Sequence, residues 1–461
     1  MKGGINVKKA IIIIAVIVAV GCIVFFAGGT LSDDDIAKEY ETGTFAEGLT
    51  VNDVSIGGMT MAEAKKALEP VEKKFTDETV LSMNMGEESY MLEGNDFDIT
   101  FDTDQVLKDL MVLGKGGSMY NRMMYQKEGE KEFHITKTVN GIRDESCLDE
   151  LIDGVCCEPK NADMSFTPNT KEHFTYKEEQ TGISIDKDEL KSAVNDAIKS
   201  GETSLEVPYE TTQPKVTVDS LKKSIVRRSY FETSYASAPY NDSNRVYNIK
   251  KCVSIINAKK LTLAPGESVS LNAILGDRTE ANGWKLAPGY VSGRSEDQPG
   301  GGVCQISSTL YCAALKADLS IVQRQNHSIP VGYIAQGLDA TISTGGPDLV
   351  LKNNTSGYVY ICCGLSGKMS VYFEVYGIPF DGFTKILVNS EKVKTIQPSG
   401  DMIYTYTDEL SPGVEQVYVK RRIGSEYTAY KKYYNGDKLI KTVKIASSKY
   451  PAFSGETRVG R

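Results

Sequence analysis

Residues 300–319, which read GGGVCQISSTLYCAALKADL, constrain the fold more than any other stretch of the chain. Three consecutive glycines give the backbone access to conformations closed to other residues, so they favour a tight turn. Cys304 follows this turn and falls in the first turn of a predicted helix, where unpaired backbone N–H groups and the helix dipole favour a thiolate. The helix is indicated by apolar residues that recur at three- and four-residue steps: Val303, Ile306, Leu310, Ala313, Ala314 and Ala317.

A reactive cysteine needs a base, and His327 is the candidate. The chain has three histidines, and of these only His327 follows the glycine turn closely. It lies far enough along for the helix to end and a strand to return beside the helix start, so a Cys–His pair is one interpretation. The other interpretation is structural: free cysteine is among the most buried residue types, and Cys304 would then be a small core residue. The residues alone leave both open.

Length and charge narrow the class of protein. A chain of 461 residues is long enough for several domains of ordinary size. Its formal net charge of −9 argues against a nucleic-acid partner, because such partners are bound by basic surfaces that neutralise phosphates.

An uncharged apolar run near the N-terminus predicts a membrane anchor. Residues 10–29 contain no charged side chain and are long enough to cross a bilayer. Basic residues precede the run and acidic residues follow it: Lys2, Lys8 and Lys9 before, Asp33, Asp34 and Asp35 after. This asymmetry predicts a cytoplasmic N-terminus. We expect a single-pass protein of the cytoplasmic membrane with residues 1–31 as stub and anchor, and with the bulk of the chain outside at the cell wall; a cleaved signal is the alternative.

The nine cysteines do not form a metal-binding pattern. Two pairs are adjacent in the chain, Cys156-Cys157 and Cys362-Cys363, and neither has C-x-x-C spacing. We predict no metal and no cofactor. The sequence leaves the disulfide state of the cysteines and the oligomeric state undecided.

The N-terminal half contains an internal repeat. Thr60 and Glu63 have the spacing of a capping box at the start of a helix. The helix start at Asp144 follows Thr60 by the same distance as the segment around Asp186 follows the similar segment around Asp102. Two matches at one spacing predict two copies of an α+β unit, residues 44–128 and 129–213.

Two resemblances to known families carry functional expectations. Val54-Ser-Ile-Gly-Gly-Met-Thr with its following helix resembles the peptidoglycan-binding repeats that precede transpeptidase-type domains in Gram-positive envelope proteins. Further on, several motifs occur in the order typical of the VanW family: Pro265-Gly266-Glu, Gly300-Gly-Gly-Val-Cys-Gln, Arg324-x-x-His327-Ser328, Gly337-Leu-Asp339-Ala-Thr341 and Asp348-Leu-x-x-Lys-Asn353. Residues 229–380 thus resemble a VanW-type catalytic domain. Residues 381–461 are similar to the small β-rich G-five modules that follow such domains.

The VanW resemblance implies an activity. The family is associated with glycopeptide-resistance gene clusters, and its members have been linked to L,D-transpeptidation. This implies that Cys304 attacks the carbonyl between the third and fourth residues of a peptidoglycan stem peptide and releases terminal D-alanine. A side-chain amine of a neighbouring stem then resolves the thioester, which gives a 3-3 cross-link.

The resemblance also implies catalytic and substrate-binding roles for individual residues. His327 is the expected base, and Asp339 is the expected residue that orients it, with Asp348 as a competing candidate. Backbone N–H groups at the glycine turn and helix start are expected to stabilise the oxyanion. The expected oxyanion and substrate-binding residues are Gly302, Val303, Gln305, Arg278 and Arg324.

The expected architecture is an α+β multidomain protein: an N-terminal transmembrane helix, two α+β repeats, an α+β VanW-type domain and a small β-rich C-terminal module. The expected function is that of a membrane-anchored extracellular cysteine L,D-transpeptidase. Two alternatives stay open, a cysteine hydrolase of wall peptides and a non-catalytic peptidoglycan-binding scaffold.

Overall fold

The computed structural model describes residues 31–116, 131–291 and 294–461, in which nine α-helices and a 3₁₀ helix (Gly94–Asp96) occur. The α-helices are α1 (Asp33–Thr42), α2 (Met61–Asp77), α3 (Thr103–Met111), α4 (Ser146–Val155), α5 (Lys187–Lys199), α6 (Val218–Ser224), α7 (Ser243–Ala258), α8 (Leu271–Leu275) and α9 (Val303–Lys316).

The strands of the first half are β1 (Leu49–Val51), β2 (Val54–Ser55), β3 (Val80–Met85), β4 (Glu88–Glu93), β5 (Phe97–Phe101), β6 (Lys131–Phe133), β7 (Lys137–Ile142), β8 (Asp163–Phe166), β9 (Phe174–Lys177), β10 (Gly182–Ser184), β11 (Ser204–Glu206) and β12 (Glu210–Thr212). Those of the second half are β13 (Val226–Ser234), β14 (Thr262–Leu263), β15 (Ser268–Ser270), β16 (Leu286–Val291), β17 (Arg294–Pro299), β18 (Ser320–Gln323), β19 (Val350–Lys352), β20 (Val359–Ser366), β21 (Ser370–Gly377), β22 (Lys385–Ile396), β23 (Ile403–Thr407), β24 (Glu415–Val419), β25 (Gly424–Asn435), β26 (Lys438–Tyr450) and β27 (Glu456–Gly460).

The chain divides into two compact units. Unit 1 consists of Met1–Pro159 and Thr181–Gln213, and unit 2 consists of Lys160–Gln180 and Pro214–Arg461. The β8–β9 hairpin therefore belongs to unit 2 although it lies within the predicted second repeat. The five predicted domain boundaries stay a prediction.

In unit 1, strands distant in the chain pair with one another. β1 pairs in parallel with β6, β3 pairs in parallel with β11, and β5 pairs antiparallel with β7. Each of these sheets therefore joins a strand that precedes residue 128 to one that follows it. The predicted capping box is confirmed: Thr60 Oγ1 accepts the N–H of Glu63, and the Glu63 carboxylate accepts the N–H of Thr60 at 2.9 Å.

The core of unit 2 lies between two helices and a four-stranded sheet of order β13-β21-β20-β14. Helix α9 packs on β13 and β21, while α7 packs on β20. Buried polar contacts fix α9 in place, because Ser229 Oγ donates to the Ala313 carbonyl at 2.7 Å and the hydroxyls of Thr233 and Thr309 lie 2.7 Å apart. The start of α9 is thereby held at a defined position.

The C-terminal part of unit 2 is built from long antiparallel strands. β22, β25 and β26 form one sheet in that order, and β23, β27 and β24 form another. The alternating strands expected in residues 381–461 are present.

The fold confirms a mixed α/β protein with several sheets and corrects one part of the prediction. No helix among residues 31–116, 131–291 and 294–461 is long and apolar enough to span a bilayer. This finding contradicts the expected N-terminal transmembrane helix, the membrane partner and the single-pass location. The longest described helix, α2, has 17 residues and carries charges along its exposed face. The apolar run of residues 10–29 lies outside the described residues.

Candidate active site

The glycine turn positions the start of α9. Gly300 and Gly302 have φ values of +85° and +107°, a region that side chains other than glycine rarely adopt. Gly301 has no room for a side chain, because a Cβ there would lie 2.4 Å from the carbonyl oxygen of Ala287. Buried Asn248 fixes the turn, since its side-chain amide donates to the Gly301 carbonyl at 3.0 Å. Helix α9 then begins at Val303, as predicted.

Cys304 lies in the first turn of α9 and is partly exposed. Its Sγ lies 3.5 Å from Thr341 Oγ1 and 3.5 Å from the carbonyl oxygen of Ile342. The His327 ring faces the same cavity as Cys304, and the thiol and the imidazole shift each other's pKa. The loop that contains Thr341 and the segment that contains His327 therefore meet at the helix start.

Asp339 holds the imidazole in place. Its side chain is 1% exposed, and Oδ2 accepts both the backbone N–H of His327 at 2.6 Å and its Nδ1 at 2.7 Å. Because a carboxylate only accepts hydrogen bonds, Nδ1 is the donor, which leaves Nε2 for the thiol of Cys304. The three side chains thus form a thiol–imidazole–carboxylate row. This is the arrangement of a nucleophile, a base and an orienting acid.

The environment favours a charged pair. Burial raises the pKa of the Cys304 thiol, but the interaction with His327 and its positive charge, together with the contacts to the Thr341 side chain and the Ile342 backbone, outweigh burial and lower the pKa to about 7. Burial lowers the pKa of His327, and its contacts with Asp339 and Cys304 outweigh that effect and raise the pKa to about 9. Between these values the pair is a thiolate and an imidazolium.

These pKa values predict the pH dependence of Cys304 alkylation. Because iodoacetamide reacts with the thiolate, the labelling rate is expected to rise with pH through a midpoint of about 7. In His327→Ala the charge that lowers the thiol pKa is gone and burial is left, so the midpoint moves up by about two pH units, to its ordinary value of 9.0 or above. Mass spectrometry of the labelled peptide measures the rate.

Cys147 is the internal control for this experiment. It too is partly exposed on a helix, but burial raises the pKa of its thiol, so it should label more slowly than Cys304 near pH 7 in the same sample. Equal labelling rates at the two cysteines would contradict an activated Cys304.

A cavity of about 360 Å³ opens beside Cys304. Two arginines, Arg245 and Arg278, are among the residues that line it, and none of the described lining residues carries a carboxylate. Arg245 Nη1 donates to the backbone carbonyl of Tyr240 at 3.0 Å, and the Arg245 guanidinium lies 4.9 Å from the centre of the Tyr240 ring. Arg278 Nη1 donates to the Gly276 carbonyl, while its Nη2 has no hydrogen-bond partner among the described residues. Such a cavity suits an anionic group.

The structure brings most of the predicted site residues together. The cavity is lined by Gly302, Val303, Cys304, Gln305, Arg278 and His327. The side-chain amide of Gln305 donates within the protein, to Thr233 Oγ1 and to the Ser234 carbonyl, each at 3.0 Å.

Arg324 and Asp348, by contrast, lie elsewhere. Arg324 is not among the residues that line the cavity. Its Nε donates to the backbone carbonyl of Asp339 at 2.7 Å, so it holds the backbone of that residue in place. Asp348 accepts hydrogen bonds from Ser270 and from the backbone N–H of Asn272, and it thereby fixes the start of α8. Asp339 is the carboxylate that contacts His327.

Other residues at the site were not singled out from the sequence. Asn248 and Arg245 lie three residues apart in the first half of α7. Thr341 belongs to the motif that contains Asp339. Tyr450, which donates to Asp339, comes from β26 and carries no local signal in the sequence.

A second cluster lies within unit 2. The ligating atoms of His173, Cys362 and Glu374 all lie within 4.8 Å of one another. The Glu374 carboxylate is already paired, with His173 Nε2 at 2.9 Å and with Arg227 Nη1 at 2.7 Å. The contact of His173 with Glu374 ties the β8–β9 hairpin to β21, and that of Arg227 ties β13 to the same carboxylate. The expected absence of a metal stays a prediction.

Comparison with known families agrees with this geometry. Residues 244–376, which contain the glycine turn, Cys304, His327 and Asp339, match the family described as "VanW like protein". The chain therefore contains a region that matches the VanW family. Residues 91–206 match the family described as "Putative peptidoglycan binding domain".

Two curated relatives share parts of the sequence. The "Uncharacterized protein YoaR" of Bacillus subtilis is 37% identical over 155 residues, which cover 33% of this chain and 49% of YoaR. The "Vancomycin B-type resistance protein VanW" of Enterococcus faecalis is 31% identical over 137 residues, which cover 27% of this chain and 49% of that protein. The chain thus spans about half the length of the curated relatives it matches.

Two solved structures are similar to a smaller part. They are "IgA1 Protease G5 domain structure", with 12% identity and a TM-score of 0.12 over 16% of this chain and 89% of that one, and "Crystal structure of HP0197-G5", with 13% identity and a TM-score of 0.10 over 17% of this chain and all of that one. At these TM-scores the likeness supports no functional conclusion.

Proposed function

We propose that this protein is a cell-wall cysteine acyltransferase, an L,D-transpeptidase that forms 3-3 cross-links between peptidoglycan stem peptides. The observation that carries the proposal is the row of Cys304, His327 and Asp339 at the wall of a cationic cavity. A thiolate with an adjacent imidazolium is suited to acyl transfer, because the thiolate attacks and the imidazolium supplies a proton to the leaving group.

The proposed first step follows from these groups. The thiolate of Cys304 attacks the carbonyl carbon between the third and fourth residues of the donor stem. The backbone N–H of Cys304 is the oxyanion donor in this proposal, because the N–H groups of Val303 and Gln305 already donate to the Gly300 and Gly302 carbonyls. His327 gives its proton to the nitrogen of D-alanine as the C–N bond breaks. D-alanine leaves, and the donor peptide is held as a thioester on Sγ.

In the second step a side-chain amine of an acceptor stem attacks the thioester. His327, now neutral, takes the proton from the amine, and Asp339 stabilises the imidazolium that forms again. The C–S bond breaks, the thiolate is regenerated and the new amide joins the two stems. The same residues serve both steps.

Charge and domain content support the choice of substrate. Arg278 and Arg245 give the cavity positive charge beside the thiol, and a stem peptide that ends in D-alanine carries a free carboxylate. The match of residues 91–206 to a peptidoglycan-binding family supports binding to the same polymer and a location at the cell wall. The name of the Enterococcus relative, a vancomycin resistance protein, supports a role in the wall.

The product of the reaction tests the proposal. Purified protein incubated with a disaccharide-tetrapeptide should yield 3-3 linked dimers and free D-alanine, as measured by liquid chromatography and mass spectrometry. Release of D-alanine without dimers would make the protein a hydrolase. If neither dimers nor free D-alanine form, although iodoacetamide labels Cys304 in the same protein preparation, the protein is a binding scaffold. A Cys147→Ala variant, altered in unit 1, should give the wild-type product pattern.

A further inference from the structure

Asp339 is held by a residue from the far end of the chain. Tyr450 in β26 is 1% exposed, and its hydroxyl donates to Asp339 Oδ1. The same hydroxyl accepts the backbone N–H of Gly337 at 2.6 Å. Oδ2 accepts from His327, while Oδ1 accepts from the Tyr450 hydroxyl and, at the longer distance of 3.4 Å, from Arg324 Nη2.

Ser448 makes a second contact from the same strand. Residues two apart on a strand point to the same face, so Ser448 and Tyr450 approach the site together. The Ser448 hydroxyl accepts from Arg324 Nη1 at 2.9 Å, and Arg324 Nε in turn donates to the Asp339 carbonyl at 2.7 Å. Strand β26 therefore supports both the side chain and the backbone of Asp339.

We propose that Tyr450, with Ser448 beside it, is a positioning residue of the Cys304–His327–Asp339 row, so that the C-terminal part of unit 2 is a component of the reaction site. The role in a reaction rests on the proposed function. A carboxylate engaged at both oxygens cannot rotate away from the imidazole, and a fixed carboxylate keeps the imidazolium charge beside the thiolate. Tyr450 lies outside residues 244–376, the part that matches the VanW family.

The other titratable groups near Asp339 do not change their protonation state between pH 6 and 9. Burial raises the pKa of Tyr450, of Tyr311 (to about 12), of Cys312 and of Tyr333, so all four stay neutral between pH 6 and 9. The Arg324 guanidinium stays charged throughout. A titration followed at Cys304 over this range therefore reports on the Cys304–His327 pair.

The test uses the full chain and measures the pH midpoint of Cys304 alkylation. Tyr450→Phe keeps the ring, which packs edge-on against Tyr427 with centroids 6.1 Å apart, and removes the hydroxyl alone. We expect its midpoint to rise by about half a pH unit, and turnover at pH 7 to fall roughly threefold to tenfold, because a hydrogen bond to a charged group is lost. Ser448→Ala should shift the midpoint in the same direction by less.

Tyr433→Phe is the matched control. Tyr433 lies in the neighbouring strand β25, and its hydroxyl donates to Asp318 at 2.7 Å, away from His327 and Asp339. Its removal should leave the alkylation midpoint unchanged. A midpoint raised in Tyr450→Phe but not in this control supports the proposal; if Tyr450→Phe does not fold, Ser448→Ala decides in the same way.

The wild-type midpoint in the folded variants would overturn the proposal, and so would an equal shift in Tyr433→Phe. Alkylation needs no peptide substrate, so the two proposals fail separately. A raised midpoint in a protein that forms no cross-links would refute the transpeptidase and leave the positioning role standing. If the wild-type protein forms cross-links and Tyr450→Phe keeps both the alkylation midpoint and the turnover, the transpeptidase proposal stands and the positioning role of Tyr450 is refuted.

Discussion

Cys304→Ala is expected to lower the rate of 3-3 dimer formation by roughly a thousandfold or more, because the thioester cannot form without the sulfur. Binding of peptidoglycan should persist, since the cavity wall and the guanidinium groups of Arg245 and Arg278 are unchanged. The free energy of unfolding should fall by about 1–3 kcal/mol, because the interaction with His327 and the two contacts of 3.5 Å with Thr341 and Ile342 are lost. Dimer yield and a denaturant titration measure the two effects.

Cys312→Ala is the control on the same helix. Cys312 lies two turns further along α9, is fully buried and donates to the Leu338 carbonyl at 3.4 Å. Burial raises the pKa of its thiol, so it has no reactive form near neutral pH. This variant should lose stability through a small cavity and keep its turnover per folded molecule. Dimer formation by Cys304→Ala at more than a few per cent of the wild-type rate would overturn the mechanism.

Asp339→Asn is expected to lower turnover roughly a hundredfold to a thousandfold. An amide has only one accepting oxygen, so it cannot accept hydrogen bonds on both sides as the carboxylate does. His327 Nδ1 and the Tyr450 hydroxyl are both donors toward the carboxylate, so one of them would face the amide NH₂ group. The His327 pKa should fall, and the Cys304 alkylation midpoint should rise from about 7 as the imidazolium is lost. The unpaired buried donor should also cost about 1–3 kcal/mol of stability.

Asp348→Asn separates this effect from a general loss of a carboxylate. Asp348 accepts from Ser270 and Asn272 at the start of α8 and makes no contact with His327 in the described structure. Its replacement should lower the melting temperature while leaving the alkylation midpoint at about 7. The opposite pattern, with a shifted midpoint in Asp348→Asn alone, would transfer the orienting role to Asp348.

Sequence patterns predicted the parts of the site that depend on local structure. The glycine turn, the start of α9 at Val303 and the position of Cys304 follow from backbone freedom and helical periodicity, which neighbouring residues determine. The pairing of His327 with Asp339 was chosen over Asp348 through a family resemblance, and the contact itself is a tertiary one.

Residues whose roles depend on distant parts of the chain could not be assigned in this way. Arg324 was expected to bind substrate, yet its guanidinium donates to Asp339 and Ser448. Tyr450 carries no motif, and its contact with Asp339 arises only when β26 packs beside the loop that contains Gly337. The pairing of β1 with β6 and of β3 with β11 was also not predicted, because the equal spacing of the repeated motifs does not determine which strands pair.

That strand pairing has a consequence for how unit 1 assembles. The parallel pairing of β3 with β11 joins residues more than a hundred positions apart, so its contact order is high and its loop-closure entropy is large. During synthesis β3 has no parallel neighbour until β11 has emerged from the ribosome. The segments before and after residue 128 are therefore interlocked, and we expect neither to fold without the other.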